Sequence, residues 1–316
     1  MLNRKMCNDI CLIFKLFTYS IMMKTLKKLF PFVFLLILII FSSISSLVFI
    51  KVQALFETFF FSLIPLLAPT ILFDCLFVNS GGLDILCELC NHKSNLFLKI
   101  IIIVIGIIGG SASLSFYINH LIKRKILSIK EGQLILNYFF LPSLPFVINI
   151  VLIKLDFKLS LIFIFLLYVI PFFIYIIRSA RERNKIVILE NTTIDQNSID
   201  FIANSIYQAG KTMVIICGTI ILYNIPYYTL IHFFHLDDYY EIQGLIEFSN
   251  AIINLTSNLS TKSICSIMFI LSFSSFSTYS QTHIMVENLN IFKLIKKRLF
   301  LALINTTIIL LFLLNI

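Results

Sequence analysis

Glu247 is followed by Asn250, Asn254 and Asn258 at intervals of three and four residues. On a helix those intervals place all four side chains on one face. One carboxyl and three amides so arranged would suit a polar solute, and they equally suit hydrogen bonds between helices. Small residues supply the other candidates. Gly109-Gly110-Ser111-Ala112-Ser113 interrupts one apolar run, and Ser272-Phe273-Ser274-Ser275 interrupts another, with Ser277 and Gln281 close behind. Such residues either permit close helix packing or mark irregular backbone. Irregular backbone at membrane depth survives only where protein or a watery cavity satisfies its free polar groups. The expected binding site therefore joins Glu247 and Asn250 to Ser111, Ser113, Ser277 and Gln281. Glu57, near Lys51, is a separate candidate for a bound cation or proton, with an interfacial position as the plainer reading.

Other chemistry is poorly provided for. The chain shows no nucleophile–base pair, phosphate loop or dinucleotide loop, so an enzyme is not expected. Cys87 and Cys90 with His92 form a thiol pair or one corner of a metal site. A structural zinc takes about four ligands, and no second pair exists, so no metal and no other cofactor is expected. His120 and His283 read as loop residues. The net charge of +9 comes without the interleaved aromatics of a nucleic-acid site.

The elements that must position these residues are membrane helices. Hydrophobic residues make up 59% of the 316 and charged residues 13%. A soluble domain carries about 25% charged residues, so this is an integral membrane protein with the lipid bilayer as its partner. Residues 1–28 are basic and suit a cytoplasmic or interfacial amphipathic segment. Leu29–Ile50 fits a retained signal anchor. Ile100–Ile118, Leu134–Ile153, Leu159–Ile177, Thr212–Ile231, Ser263–Thr282 and Leu299–Ile316 are each about 18–20 residues without charge, enough to span. Lys123–Lys130, Arg178–Lys185 and Lys293–Arg298 should be cytoplasmic with the N-terminus, in a multi-pass protein of the cell membrane. That parity holds if Val52–Val78, broken near Pro65 and Pro69, and Glu241–Thr261 are re-entrant. The expected fold is an all-α bundle of seven crossings in one domain, residues 29–316.

Two parallel pseudo-repeats are expected within it: 29–153 and 200–316, joined by a linking helix at 159–177 and a loop at 178–199. Glu57 and Glu247 then fall at similar places, as do the two small-residue stretches. Transporters place substrate between such repeats on discontinuous helices.

Several motifs resemble one family. Phe273-Ser274-Ser275-Phe276-Ser277-Thr278-Tyr279-Ser280-Gln281 resembles a Gly-Phe-Gly-Gly-Leu-Ser…His-Ala-Gln motif of the sporulation integral membrane proteins called YlbJ, which belong with the nucleoside-recognition, or Gate, domain proteins. Phe273, Ser277 and Gln281 match; Ser274 and Ser275 stand for glycines and Tyr279 for the histidine. Gly110 matches a glycine of the family's central segment, and Ser128-x-x-Glu131 its second helix start. Pro145, Glu247-Phe248-Ser249-Asn250 and Phe61-Ser62-Leu63-Ile64-Pro65 resemble further motifs in the same order. The resemblance implies a divergent Gate-type membrane protein, permease-like for a small polar solute such as a nucleoside or ion. The alternative it leaves open is a structural or assembly protein of sporulation that transports nothing.

Overall fold

The computed structural model of the chain describes residues 45–91, 95–181, 200–234 and 239–315. Every regular element among them is helical. Seven runs are long and apolar enough to cross a membrane: Phe49–Asn79, Leu96–Lys123, Ile129–Lys154, Phe157–Ser179, Asp200–Phe233, Thr261–Met285 and Ile291–Leu314. The chain is a polytopic, all-helical membrane protein. The basic N-terminal segment, most of Leu29–Ile50, His92 and most of the 178–199 loop lie outside the described residues.

The first helical run corrects one expectation. Helix α1 (Ser45–Thr58) continues through a π turn at Phe59–Leu63 into α2 (Ile64–Asn79), so Val52–Val78 does not break at Pro65 or Pro69. A proline lacks the N–H and crowds the carbonyl one turn back. Here the wider turn removes the conflict, with the Ile64 N–H bonding to the Phe59 carbonyl just ahead of Pro65. Glu57 is exposed on this run and takes a hydrogen bond from Gln53, one turn away, at 3.1 Å.

After the short α3 (Gly82–Asn91) comes α4 (Asn95–Lys123), which breaks at Gly110 with φ 82° and ψ −170°. Its two arms fold back on each other. A Cβ placed on Gly106 would lie 2.5 Å from Leu114 Cδ1, whereas a straight helix separates residues eight apart by roughly 12 Å. Lys99 of the first arm pairs at 2.7 Å with Glu131, which lies just beyond the second arm. Residues 100–118 lie within the apolar run Leu96–Lys123, and that run is bent back at Gly110 rather than straight. Each arm turns one apolar face to the protein: Leu98, Ile102, Ile103, Leu114, Ile118 and Leu121 share one buried cluster.

Helix α5 (Ile129–Phe139) starts at the Ser128/Glu131 capping box expected from the sequence. It unwinds at 140–143 and resumes as α6 (Leu144–Phe146), followed by π and 3-10 turns to Lys154. Helices α7 (Phe157–Ile164) and α8 (Ile170–Arg181) form the return run, started by an Asp156 cap. The 34-residue α9 (Asp200–Phe233) follows. Then come α10 (Tyr240–Ile246), α11 (Phe248–Leu255), α12 (Thr261–Phe273), α13 (Phe276–Met285) and α14 (Ile291–Leu314).

Polar contacts fix which ends lie together. At one end, Lys123 meets Glu287 at 3.6 Å, Asn290 N–H donates to Gln133 at 2.9 Å, and Asn79 donates to Ser205 at 3.0 Å. Arg124 pairs there with Asp84 at 3.1 Å. This is the basic end. At the other end Lys154 donates to Thr256 at 3.1 Å, and Lys262 pairs with Glu241 at 2.8 Å. The Lys262 hydrogen bond holds the Glu241 carboxyl below its ordinary range. It also ties the first turn of α10 to the first turn of α12. The polar face expected along 247–258 is cut short, because α11 ends at Leu255 and Asn258 is exposed beyond it.

Arg298 belongs to the core rather than to a loop. It is 1% exposed, and its Nη1 donates to the Tyr138 carbonyl at 3.1 Å. The last carbonyls of α5 lose their partners where the helix unwinds. A cation is favoured at such a C-terminus.

Candidate functional site

Four interruptions meet in the middle of the bundle: Gly110, Pro142–Ser143, Glu247 and Ser274–Ser275. Each is followed by a new helical N-terminus: the returning arm of α4, then α6, α11 and α13. Local chemistry accounts for the starts. Ser143, between Pro142 and Pro145, accepts from Phe146 N–H at 3.4 Å. Ser275 accepts from Thr278 N–H at 3.4 Å. Glu247 is extended (φ −145°, ψ 121°) and caps α11. One of its oxygens accepts from Ser249 N–H at 2.9 Å and from the Ser249 hydroxyl, and the other accepts from Asn250 N–H at 3.2 Å.

These ends enclose a cavity of about 50 Å³, room for a few waters. Its polar lining is Ser111, Ser143, Glu247, Ser249, Ser277, Thr278 and Gln281, beside Gly109, Gly110 and Pro142. Among the described residues no lysine, arginine or histidine lines it. Backbone N–H groups at the helix starts are the donors that face it. Glu247 caps one of these starts.

Of the residues singled out in the sequence, Ser111, Glu247, Ser277 and Gln281 thus reach one cavity. Gln281 also donates to Thr219 of α9 at 2.8 Å. Asn250 does not line it, and instead donates to the Tyr228 hydroxyl at 3.3 Å. Ser113 is buried behind the Gly110 break, near Asp74. Glu57 is not brought to the site. His283 is exposed, while His120 lines a second, open recess of about 460 Å³ at the basic end with Asn79, Asn119, Lys123, Lys211 and Glu287. The recess lies one turn from the cavity: Phe116 follows Ala112, Ile215 precedes Ile216, and Ile284 follows Gln281.

No family model, curated protein or solved structure matches the chain. The site is therefore read from its own geometry.

Sequence reasoning missed Ser143, Ser249 and Thr278. A serine two residues before a proline, after an irregular turn, is a helix-start signal that identifies Ser143.

The break at Ser274 is strained. Its φ of 72° and ψ of −150° lie in a region almost reserved for glycine, and Gly110 adopts nearly the same angles. Ser274 gains one hydrogen bond, to the Phe140 carbonyl at 3.3 Å. Strain of about 1–3 kcal/mol outweighs a long hydrogen bond worth about 0.5–1 kcal/mol. Ser274→Gly should raise the melting temperature of the purified protein, and Ser274→Ala, which keeps the strain and loses the bond, should lower it. Equal melting of the two variants would refute this account.

Proposed function

We propose that the chain is a permease-like protein for a small polar solute, with binding and transport rather than catalysis as its work. The observation that carries this reading is the convergence of four helix interruptions on one polar cavity. Open backbone there is tolerated because it lines a cavity, and transporters bind substrate at such discontinuous helices. The ordered motifs quoted above support a Gate-type membrane protein of the cell membrane.

The arrangement is best described as two repeats of opposite orientation, in place of the parallel pairing expected. The run α1–α2, the folded-back α4, the broken α5–α6 run and α7–α8 correspond in order to α9, the folded-back α10–α11, the broken α12–α13 run and α14. Each member of the second set runs opposite to its counterpart. Asn79 meets Ser205 and Gln208, while Leu55 packs with Tyr227, Tyr228 and Ile231. Asn305 reaches Leu166. Among the described residues the seven apolar runs less α4 leave six crossings, with α4 re-entrant from the basic end and α10–α11 from the other. The charge rule puts the basic end in the cytoplasm.

Two measurements test this. In a cysteine-free background, cysteines at Lys125 and Glu287 should resist an impermeant thiol reagent in intact cells, and one at Lys158 should react. Labelling at Lys125 but not Lys158 would invert the orientation, and labelling at only one of Lys125 and Glu287 would break the arrangement. Purified protein in liposomes should then take up one or a few solutes from a panel of nucleosides, organic acids and inorganic ions. Uptake of none would favour the structural reading.

A further inference from the structure

A second carboxyl lies beside the cavity, and the transport reading makes no use of it. Asp74, in α2, is 8% exposed. The Tyr117 hydroxyl donates to its Oδ1 at 2.7 Å. Its Oδ2 is buried without a hydrogen-bond partner, and so is Ser113 Oγ. Both flank the hairpin tip: a Cβ on Gly109 would stand 2.1 Å from Ser113 Oγ and 3.3 Å from Asp74 Oδ2. Gly109 and Gly110 in turn line the cavity.

The surroundings offer this carboxyl no counter-charge. Helix α4 brings Tyr117 and Ser113, with His120 one turn further toward the recess. Helix α9 packs Ala209, Met213 and Cys217 against the same cluster as Cys75, the neighbour of Asp74. The Asp84 carboxylate of α3 is committed to Arg124. Asp74 pairs with no cation among the described residues. An unpaired ionised carboxylate in such a place costs several kcal/mol. One phenol donor and the Ser113 hydroxyl close by do not offset that, whereas a proton on Oδ2 would itself supply a donor to Ser113 Oγ.

We propose that Asp74 is a proton-binding site. The proton sits on Oδ2. It is taken from and returned to water in the basic-end recess, past His120, whose Nε2 is buried without a partner. Binding and release change the charge against Gly109 and so shift the hairpin tip that bounds the cavity. The proton site rests on the surroundings of Asp74 alone; only its link to transport rests on the permease reading.

The test needs no solute. Infrared difference spectra of the purified protein in lipid vesicles, stepped between acid and alkaline pH, should show a protonated-carboxyl band that vanishes in Asp74→Asn and persists in Glu247→Gln. Ser113→Ala and Tyr117→Phe keep the carboxyl and should each shift that band, which covers the case in which Asp74→Asn fails to fold. An unchanged carboxyl region in Asp74→Asn, or a band that neither neighbouring variant moves, overturns the proposal. So does sodium, exchanged for choline at fixed pH, if it abolishes the band in the wild type but leaves Asp74→Asn unaffected. That result would make the position a metal-cation site.

Discussion

Gly110→Ala should leave little folded protein. Any L-residue at φ 82° and ψ −170° carries about 1–3 kcal/mol of strain. The added Cβ would also stand 2.8 Å from Ser143 N and 3.2 Å from Ser143 Cα. Those are backbone atoms at the start of α6, and they cannot rotate away. Forcing such contacts costs about 1–3 kcal/mol more. The sum is a large share of the 5–15 kcal/mol typical of a folded domain. Gly210 and Gly218 in α9 are the controls, because a Cβ there meets nothing within 4 Å. Gly210→Ala and Gly218→Ala should stabilise the helix by about 0.5–1 kcal/mol each. Thermal melting of the three purified variants, together with the yield of monodisperse protein, decides the matter. A Gly110→Ala protein that melts with the wild type would mean that α4 is not folded back at this residue.

Glu247→Gln should abolish solute uptake and also weaken the fold. Glu and Gln share a shape, so in a purely structural protein with no specific contacts at 247 the change would be nearly silent. The geometry corrects that expectation. Both carboxylate oxygens accept backbone N–H groups, from Ser249 at 2.9 Å and Asn250 at 3.2 Å. A Gln amide would turn its NH2 toward one of these donors and leave a buried N–H unpaired, at a cost of about 1–3 kcal/mol. Melting should therefore fall in either case, and only uptake separates cap from binding group. A Glu247→Gln protein that melts normally and transports normally would remove both roles.

Much of this site was legible in the sequence because its signals are local. Small residues at 109–113 and 272–275 and prolines at 142 and 145 each mark a place where a membrane helix stops, whereas Glu247 reads as part of a continuous polar helix face and instead caps a helix. The failures were non-local. Ile100–Ile118 reads as one straight crossing because hydropathy reports apolar character alone, and one face of each α4 arm packs against protein while Phe97, Val104 and Ile108 stay exposed. Nothing in the run says that Gly110 reverses the chain. Pro65 reads as a break because no sequence rule announces the π turn that absorbs it. Asp74 carries no sequence signal of its own; only the fold sets the Tyr117 hydroxyl against it. Arg298 reads as one more loop cation, although the carbonyl it satisfies lies 160 residues away.

The cavity's lack of basic side chains bears on how such a protein changes over time. Its polarity comes from small hydroxyls, one amide and one carboxyl, together with the four helix starts that face it. Ser143, Ser275 and Glu247 hold three of these turns, and side chains that hold no turn can be exchanged while the turns persist. Ser274 shows how far this goes, standing in a conformation that favours glycine and holding the break nonetheless. Descent under those conditions erodes recognisable residues sooner than it erodes the shape. A relative with the same architecture need share few of the side chains named here, and the angles at the breaks are a better mark of kinship than the letters that form them.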